Sequence, residues 1–549
     1  MILFLYLYNK LHFSSSYITP SQALKSFKEH QTVPPTTKRD EVTDKRVDTT
    51  TPRKVPPQAC VTGRNFDKEK EWAAIIEESG RKTSQKSQER AEHVKQMMVH
   101  AWTGYKKHAW GANELAPISG NPHSGIFSGT RIGLTIVDSL DTLYTMGLFE
   151  EVQLGKMWLK ENLTSHLNVS VQVSVFEFNI RFVGGLLSMF ALTNECEYRD
   201  LAVLCADKLL PAFETPHGIP VAHIDLKHGL NTRFTNFGNA ILSEFGTLHL
   251  EFFYLSHITG EFKYRNLVEN IREKVTKANV NGLYGNHFSI NTAKYMSSNL
   301  AVSLGGAGDS FYEYLFKSYL QSGKTDTHAL KLYFDAMEAI IKEGLLQTSG
   351  GGLRYFGMKH TGLSHSAQRR MEHLACFIGG VIGLSAEYSK NQTATLQLAE
   401  DIATTCHESY VRAASGIGPE SFEFDTSKGD AVSAGGDSGY HMRPEVVETW
   451  FFLSRVTKDR KYREWCWDFI KALDKYCKVK DGYVGLHDVY LRRTDSKGEP
   501  LKEDVQQSYF MAETLKYLYL IYKDESLLSL DSWVFNTEAH PLPVLHPFS

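Results

Sequence analysis

The sequence predicts an all-α fold, an (α/α)7 barrel of helical hairpins with a small β-hairpin element at one end. Three observations support this prediction: acidic residues recur where apolar segments begin, they recur at a regular interval, and amphipathic segments lie between them. A carboxylate that enters a packed core costs several kcal/mol unless it is paired, hydrated or bound to a ligand. The pattern therefore predicts inner helices that bring carboxylates to a shared polar cavity.

The recurrent positions are spaced by about 65 to 70 residues, which is typical of a repeat architecture. One further position, in the segment TIVDSLDTL, precedes the others and adds a seventh member. The seven predicted helix openings are at Asp138, Glu177, Glu244, Asp309, His373, Glu445 and Glu513.

The segments between these positions predict the outer helices. EFKYRNLVENIREKV, HALKLYFDAMEAIIKEGL and YREWCWDFIKALDKYC place apolar residues at helical spacing and charges on the other face. The alternative to a closed ring is an open helical solenoid, whose terminal repeats would be polar caps. The last repeat here is among the most apolar, which favours closure. GGLRYFGM and KDGYVGLHDVYL are interpreted as hairpins or loops at one end.

The chain is predicted to have three parts. Residues 1–13 begin with MILFLYLY and are interpreted as the remnant of a signal anchor, because the run is shorter than the roughly 20 residues of a membrane helix; an unstructured start is the alternative. Residues 14–89, rich in Ser, Thr, Lys and Pro, predict a stem that is largely disordered and then helical. Residues 90–549 predict the catalytic barrel.

Composition excludes some classes of function. The chain is 42% hydrophobic and 22% charged with a formal net charge of -3, so no basic excess favours nucleic acid. Its seven cysteines form no C-x-x-C pair that would indicate zinc or a dithiol centre. The triplets at Asn162, Asn168 and Asn391 are glycosylation acceptors and are consistent with a secretory route.

Individual carboxylates also have structural interpretations. Glu177 and Arg181 have the spacing of an intrahelical ion pair. Glu445 follows Pro444 and could serve as an N-terminal charge, and Asp309 follows a glycine-rich segment and could be an N-cap. As a set they offer more than the two carboxyl groups that hydrolysis of a glycosidic bond requires.

The segment FNTEAHP near the C-terminus combines a hydroxyl, carbonyls and a carboxylate, which are oxygen ligands suited to calcium. It lacks the regularly spaced acidic ligands of an EF-hand loop, and a terminal turn is the alternative interpretation.

Nine short motifs occur in chain order: HAWGANELAPIS, TIVDSLDTL, SVFEFNIRFVGGLL, SEFGTLHLEF, GDSFYEYL, MEHLACF, MRPEVVET, ETLKYLYL and FNTEAHP. Together they resemble the class I α-1,2-mannosidases, glycoside hydrolase family 47. The resemblance implies an (α/α)7 barrel that uses Ca²⁺ and hydrolyses terminal α-1,2-linked mannose of high-mannose N-glycans with inversion. It also implies an acid that acts through water.

The resemblance assigns site residues one by one. Glu177 is the implied acid and Glu445 the implied base, and Asp309 and Glu420 complete the catalytic set. Thr537 is the implied calcium ligand. The residues implied to surround the mannose are Arg181, Glu244, His373, Arg443, Glu448, Tyr509, Glu513 and Glu538. Tyr509 stands where the family usually has Phe, and it retains a ring for stacking.

The resemblance also bears on subclass. Cys376 and Cys406 match the family's disulfide, which favours the processing enzymes over the degradation-enhancing relatives. Ala307 replaces an Arg typical of the endoplasmic-reticulum form, and Asn113 matches Golgi enzymes, so we expect broad trimming of Man9 towards Man5 by a monomeric, lumenal domain of a Golgi membrane protein. The alternatives are a reticulum enzyme, a lectin-like quality-control protein, or an unrelated scaffold or terpenoid-type synthase holding magnesium.

Overall fold

The structure, a computed structural model, describes residues 56–230, 238–297, 299–363, 366–433 and 437–545. The predicted signal-anchor remnant and the first part of the predicted stem lie outside the described residues. The helices are α1 Phe66–Arg81, α2 Gln85–Ala109, α3 Leu134–Thr145, α4 Phe149–His166, α5 Val175–Thr193, α6 Cys196–Leu209, α7 Leu242–Gly246, α8 His249–Thr259, α9 Phe262–Ala278, α10 Asp309–Gln321, α11 Thr327–Lys342, α12 Leu374–Tyr388, α13 Gln392–Val411, α14 Glu445–Thr457, α15 Lys461–Ala472 and α16 Leu515–Leu520.

The inner wall of the barrel is a closed ring. Helices α3, α5, α8, α10, α12, α14 and α16 pack side by side in that order, and α16 together with the preceding π-helical turn Phe510–Thr514 returns to α3. The outer helices α4, α6, α9, α11, α13 and α15 each pack against the inner helix that precedes them. The predicted (α/α)7 barrel and its closure are confirmed.

The seventh pair differs from a hairpin. Its inner helix is α16 and its outer helix is α2, so the two ends of the described chain close the ring. Closure buries the apolar residues of α16, among them Leu515, Leu518 and Leu520, which a terminal solenoid repeat would leave exposed.

Short antiparallel strands connect the helix pairs. The strands are β1 Glu114–Ala116, β2 Asn121–His123, β3 Gln172–Ser174, β4 His223–Asp225, β5 Ala240–Ile241, β6 His287–Ser289, β7 Lys294–Tyr295, β8 Ala301–Val302, β9 Leu346–Thr348, β10 Arg354–Phe356, β11 Lys359–His360, β12 Arg370–Glu372, β13 Ser421–Glu423, β14 Lys478–Val479, β15 Gly482–Tyr483, β16 Trp533–Phe535 and β17 Pro541–Pro543. The two predicted hairpin segments pair as β9–β10 and β14–β15. The other strands escaped prediction because two or three residues are too few to show an alternating pattern.

Helix α5 is the one described helix that is long and apolar enough to cross a membrane, and 83% of its most apolar window is buried. Its burial identifies it as a core helix of the barrel. A π-helical segment, Asn179–Val183, interrupts it one turn from its start, and such segments are frequent at functional sites.

The segment before α1, together with the first turn of α1, is bonded to the turn between α5 and α6. We call these residues, 58–69 and 193–197, together with Lys156 of α4, the N-terminal clamp. A disulfide joins Cys60 to Cys196, and the ammonium of the buried Lys156 lies 2.6 Å from the Glu195 carboxylate. The other oxygen of Glu195 accepts a hydrogen bond from the Asn65 backbone N–H at 2.7 Å.

Residues 58–69 of the clamp and α1 lie before Arg90, where the barrel is predicted to begin, and both contact the helical body. Arg90, the predicted start, lies inside α2, and Trp72 of α1 is buried in the core. The partner of Cys60 lies 136 residues away, a contact that sequence spacing does not reveal.

Candidate active site

The predicted acidic residues meet at one end of the barrel, where the inner helices begin. Asp309 and Glu445 are the first residues of α10 and α14, and Glu177 is the third residue of α5. Glu513 lies in the π-helical turn before α16. The structure therefore brings the recurrent positions close together, and we call the space that their acidic side chains face the cavity.

On one side of this cavity, a single guanidinium binds three carboxylates. The Nε atom of Arg181 donates to Glu177 at 2.9 Å, and its Nη1 atom donates to Asp138 at 3.2 Å and also to Glu538. These charges raise the pKa of Arg181 well above its usual value even though burial opposes the charged form. The predicted ion pair exists, and the Glu177 side chain remains 28% exposed to solvent.

On the other side, His373 supports Glu445. The Nδ1 atom of His373 lies 2.6 Å from Oε2 of Glu445. Burial by itself would raise the pKa of Glu445, but the hydrogen bond to His373 and the charge of Arg443 hold it below its usual value. The geometry suits a carboxylate that stays ionised and accepts a proton.

Glu420 holds the loop that leads to α14. Its Oε2 atom accepts from Nε of Arg443 at 2.5 Å, and its Oε1 atom accepts from the His441 backbone N–H at 3.0 Å. The Tyr509 hydroxyl donates to the His441 carbonyl at 2.6 Å, and the Arg181 guanidinium lies 5.6 Å from the Tyr509 ring. This chain of contacts connects the Glu445 side of the cavity to the Glu177 side.

Two carboxyl groups have pKa values close to neutrality. Burial raises the pKa of Asp309 to about 7, and the nearby charges of Glu372 and Glu445 add to the effect. Burial and the charge of Glu177 raise the pKa of Glu244 to about 7. At neutral pH each of these groups can hold a proton and donate it in a hydrogen bond.

Deeper in the cavity, carboxylates face one another. Burial raises the pKa of Glu513 well above its usual value, and the charges of Glu538, Glu445 and Glu448 raise it further. The ammonium of Lys317 lies 3.7 Å from Glu448 and also pairs with a second carboxylate, Glu313. The local excess of negative charge is the electrostatic setting that a divalent cation stabilises.

The segment FNTEAHP is a turn, and it lies in this cavity. The turn connects β16 to β17, and its Asn536 side chain accepts from the backbone N–H groups of Glu538 and His540 at 2.9 and 2.8 Å. The Thr537 backbone N–H donates to the Tyr314 hydroxyl at 3.3 Å. These bonds fix the position of Thr537, which is only partly buried. Both sequence interpretations of the segment, a turn and a place for oxygen ligands, are compatible with this geometry.

Sequence reasoning missed a buried layer beneath the cavity. Asp141 accepts from Lys516 Nζ at 2.9 Å and lies 2.8 Å from His540 Nδ1. The only sequence signal was spacing, because Asp141 and Lys516 each lie three residues after a predicted cavity residue and are neighbours of it on a helix. Glu372, which accepts from the Gly306 backbone N–H at 2.8 Å beside Asp309, was also missed.

The structure thus brings the predicted site residues together, but His373 does not face the cavity as predicted. The His373 side chain is 0% exposed, and both of its ring nitrogens lie within hydrogen-bond distance of protein groups, so it lies behind Glu445. The predicted disulfide Cys376–Cys406 is present. Within the described residues, no group of three or more His, Cys, Asp or Glu side chains is arranged to bind a metal directly.

Comparisons with known proteins agree with this geometry. Residues 97–544 match Glycosyl hydrolase family 47. The chain is 48% identical over 464 residues to human mannosyl-oligosaccharide 1,2-alpha-mannosidase IB, covering 83% of this chain and 70% of that protein. It is also 48% identical over 464 residues to mannosyl-oligosaccharide alpha-1,2-mannosidase IA of Drosophila melanogaster, covering 83% and 68%.

A solved structure shares the architecture. The alpha-1,2-mannosidase from Trichoderma reesei aligns with a TM-score of 0.74 and 27% identity, covering 83% of this chain and 99% of that one. Paired carboxyl groups are what the hydrolysis of a glycosidic bond requires, and the family match and the relatives identify the protein as a glycoside hydrolase. The chain belongs to glycosyl hydrolase family 47.

Proposed function

We propose that this protein is an inverting, calcium-dependent mannosyl-oligosaccharide 1,2-α-mannosidase that trims terminal α-1,2-linked mannose from high-mannose N-glycans. The observation that carries the proposal is the convergence of the inner-helix carboxylates on one cavity in a family 47 chain. The names of the relatives support the substrate class. Lectin-like glycan binding without hydrolysis is the alternative outcome of the test below.

The two sides of the cavity support different roles. Glu445 is the base, because its hydrogen bond to His373 favours the ionised form. Glu177 lies on the opposite, Arg181 side, partly exposed, where it protonates the leaving oxygen through water. Asp309, with a pKa of about 7, holds a proton and donates a hydrogen bond to a sugar hydroxyl. Glu420 orients Arg443 through the 2.5 Å bond between them.

The cavity fits a calcium ion. Thr537 offers a hydroxyl and a carbonyl oxygen on a turn fixed by Asn536, and the surplus of carboxylates around Glu513 supplies the compensating charge. We infer that Thr537 holds the ion and that Glu513 and Glu538 orient the water around it. When bound, the ion supplies ligation of sugar hydroxyls and electrostatic stabilisation.

We assign five of the predicted residues to the mannose subsite. Arg181, Glu448, Glu513 and Glu538 provide the polar wall, and Tyr509 offers a ring face for stacking. The side chain of Asn113 binds three backbone carbonyls at 2.8 to 3.0 Å. Asn113 therefore has a structural role in the loop before α3 and gives little support to the choice of compartment.

Broad trimming and a Golgi location rest on Ala307. The loop before Asp309 has no arginine at this position, so it lacks a bidentate clamp for one glycan arm. We propose progress from Man9 to Man5 by a monomeric, lumenal catalytic domain, tethered by an N-terminal anchor if the complete chain has one. Arrest at Man8 would instead indicate the endoplasmic-reticulum type.

The test is a time course of the purified protein with Man9 glycan, with calcium or with a chelator, followed by chromatography of the products. We expect calcium-dependent conversion to Man5 and release of β-mannose, detected by proton NMR before mutarotation. Release of α-mannose would overturn inversion. Full activity in the chelator would overturn the calcium assignment, and glycan binding without mannose release would establish the lectin alternative.

A further inference from the structure

A hydrogen-bonded chain leads from the outer ring of helices to Glu445. Tyr410 lies in the last turn of α13, with its ring buried. Its hydroxyl is 2.7 Å from Nε2 of His373, and Nδ1 of the same imidazole is 2.6 Å from Glu445. His373 is therefore held between a phenol and a carboxylate.

The chemistry of the three groups determines which atom is the donor in each hydrogen bond. An ionised carboxylate only accepts hydrogen bonds, so Nδ1 of His373 carries the hydrogen that faces Glu445. In a neutral imidazole the other nitrogen is then an acceptor, and the Tyr410 hydroxyl donates to it. Burial raises the pKa of Tyr410 well above its usual value, which keeps the phenol protonated.

The surroundings hold both Tyr410 and His373 in place. A Cβ atom on Gly418 would lie 2.2 Å from Cε2 of Tyr410, so the loop that carries Glu420 approaches the ring only because glycine is there. The disulfide Cys376–Cys406 lies one helical turn away, because Cys406 precedes Tyr410 by four residues and Cys376 follows His373 by three.

We propose that Tyr410 is a positioning residue, which locks His373 in the tautomer with the proton on Nδ1 and thereby orients Glu445 and keeps it ionised. The inference rests on the proposed function in taking Glu445 as the base. It assigns His373 to act through Glu445 and not by contact with the sugar. Tyr410 itself is buried on an outer helix and acts on Glu445 through His373.

Removing one hydroxyl leaves the other charges around Glu445 in place, so a change in the pH profile reports on the hydrogen-bonded chain. The titratable and charged groups that face Glu445 are Asp309, His373, Tyr410, Tyr440, Arg443, Glu448, Tyr509 and Glu513.

The experiment compares Tyr410→Phe with wild type on a Man9 substrate. We expect kcat to fall about tenfold with KM nearly unchanged, and the acidic limb of the kcat/KM profile to move to higher pH, because Glu445 loses part of its stabilisation. The matched control is Tyr333→Phe, which removes the hydroxyl of another buried tyrosine on an outer helix, 3.1 Å from Ser385. It should leave kcat and the pH profile unchanged.

Two further measurements complete the test. In a His373→Gln background, Tyr410→Phe should have no additional effect on kcat, and a full additive effect would overturn the inference. NMR of the protein with ¹⁵N-labelled histidine should show His373 protonated on Nδ1 only, and the opposite tautomer would overturn it without any tyrosine variant. Wild-type kinetics for Tyr410→Phe, with Glu445→Gln inactive, would reject only the role of Tyr410. An active Glu445→Gln enzyme would reject the proposed base.

Discussion

At the N-terminal clamp, the Lys156 ammonium lies 2.6 Å from Glu195, which also accepts a backbone hydrogen bond from Asn65. In the cavity, by contrast, Glu513 is surrounded by the charges of Glu538, Glu445 and Glu448. Both regions bury ionisable groups. The clamp matches each buried charge with an opposite partner, whereas in the cavity the carboxyl groups outnumber cations such as Arg181 and Lys317.

This difference indicates that the clamp serves stability and the cavity serves function. A buried pair with good geometry and further hydrogen bonds offsets its own desolvation. Carboxylates that repel one another destabilise the empty barrel, and such a cluster is expected where a ligand or cation provides the missing charge. Substitutions in the clamp should therefore change the free energy of unfolding, and substitutions in the cavity should change turnover.

The largest effect is expected for Glu445→Gln. The amide cannot accept a proton from water, so kcat should fall by about 10² to 10⁴-fold, the typical contribution of general base catalysis. The assay is mannose release from Man9 at saturating substrate. Glu161→Gln, on an exposed part of α4, is the matched control and should retain wild-type turnover. Near-normal turnover of Glu445→Gln would show that another carboxylate is the base.

At the clamp, Lys156→Met should lower the free energy of unfolding by about 3 to 5 kcal/mol, because it leaves the Glu195 charge buried without its partner. The double variant Lys156→Met with Glu195→Gln should recover most of that loss, since the amide oxygen still accepts from Asn65. Denaturant unfolding at neutral pH measures both. A double variant as unstable as the single one would show that the pair does more than balance charge.

The sequence predicted the architecture because the inner helices repeat a strong signal. An acidic residue followed by apolar residues recurs at a regular interval, and outer helices such as α9 and α11 show clear amphipathic patterns. Closure was predicted from the apolar last repeat. The pairing of α16 with α2 was not, because it joins segments from the two ends of the chain.

The candidate site was likewise predicted in part. Residues at helix starts, such as Glu177 and Glu445, were found because helix geometry places them at one end of the barrel. Asp141 and Tyr410 were not found, since both act through contacts between elements distant in sequence. The clamp was missed for the same reason, with Cys60 in a segment that composition assigned to a stem.

One disulfide lies in the clamp and the other lies near the cavity, so removing each of them compares the two regions directly. Replacing Cys60 and Cys196 by serine should lower the free energy of unfolding by about 2 to 4 kcal/mol, with kcat per folded molecule unchanged. Replacing Cys376 and Cys406 should lower both stability and kcat, because that disulfide lies beside the contact between Tyr410 and His373. Thermal unfolding and mannose release are measured on the same samples. Equal kcat values for the two double variants would show that the second disulfide has a purely structural role.

The smallest effect is expected for Glu244→Gln, which tests how much an ionised carboxylate in the cavity lowers the free energy of unfolding. Burial and Glu177 raise the pKa of Glu244 to about 7 from a usual value of 4.5. The folded state then binds a proton more tightly than the unfolded state, so this group costs stability as pH rises from 4.5 to 7 and the full cost remains above 7. Glu244→Gln should therefore match wild type at pH 4.5 and exceed it by about 1 to 2 kcal/mol at pH 8, a value reduced from the full shift because Glu244 is partly exposed.

Urea unfolding at the two pH values, in chelator, measures the difference between the variant and wild type, and the exposed Glu261→Gln is the control. The control should differ from wild type by the same small amount at both pH values. A Glu244→Gln protein that is less stable than wild type at pH 8 would mean that the ionised carboxylate finds a partner in the folded barrel. The cavity would then resemble the clamp, where the Glu195 carboxylate is paired with Lys156.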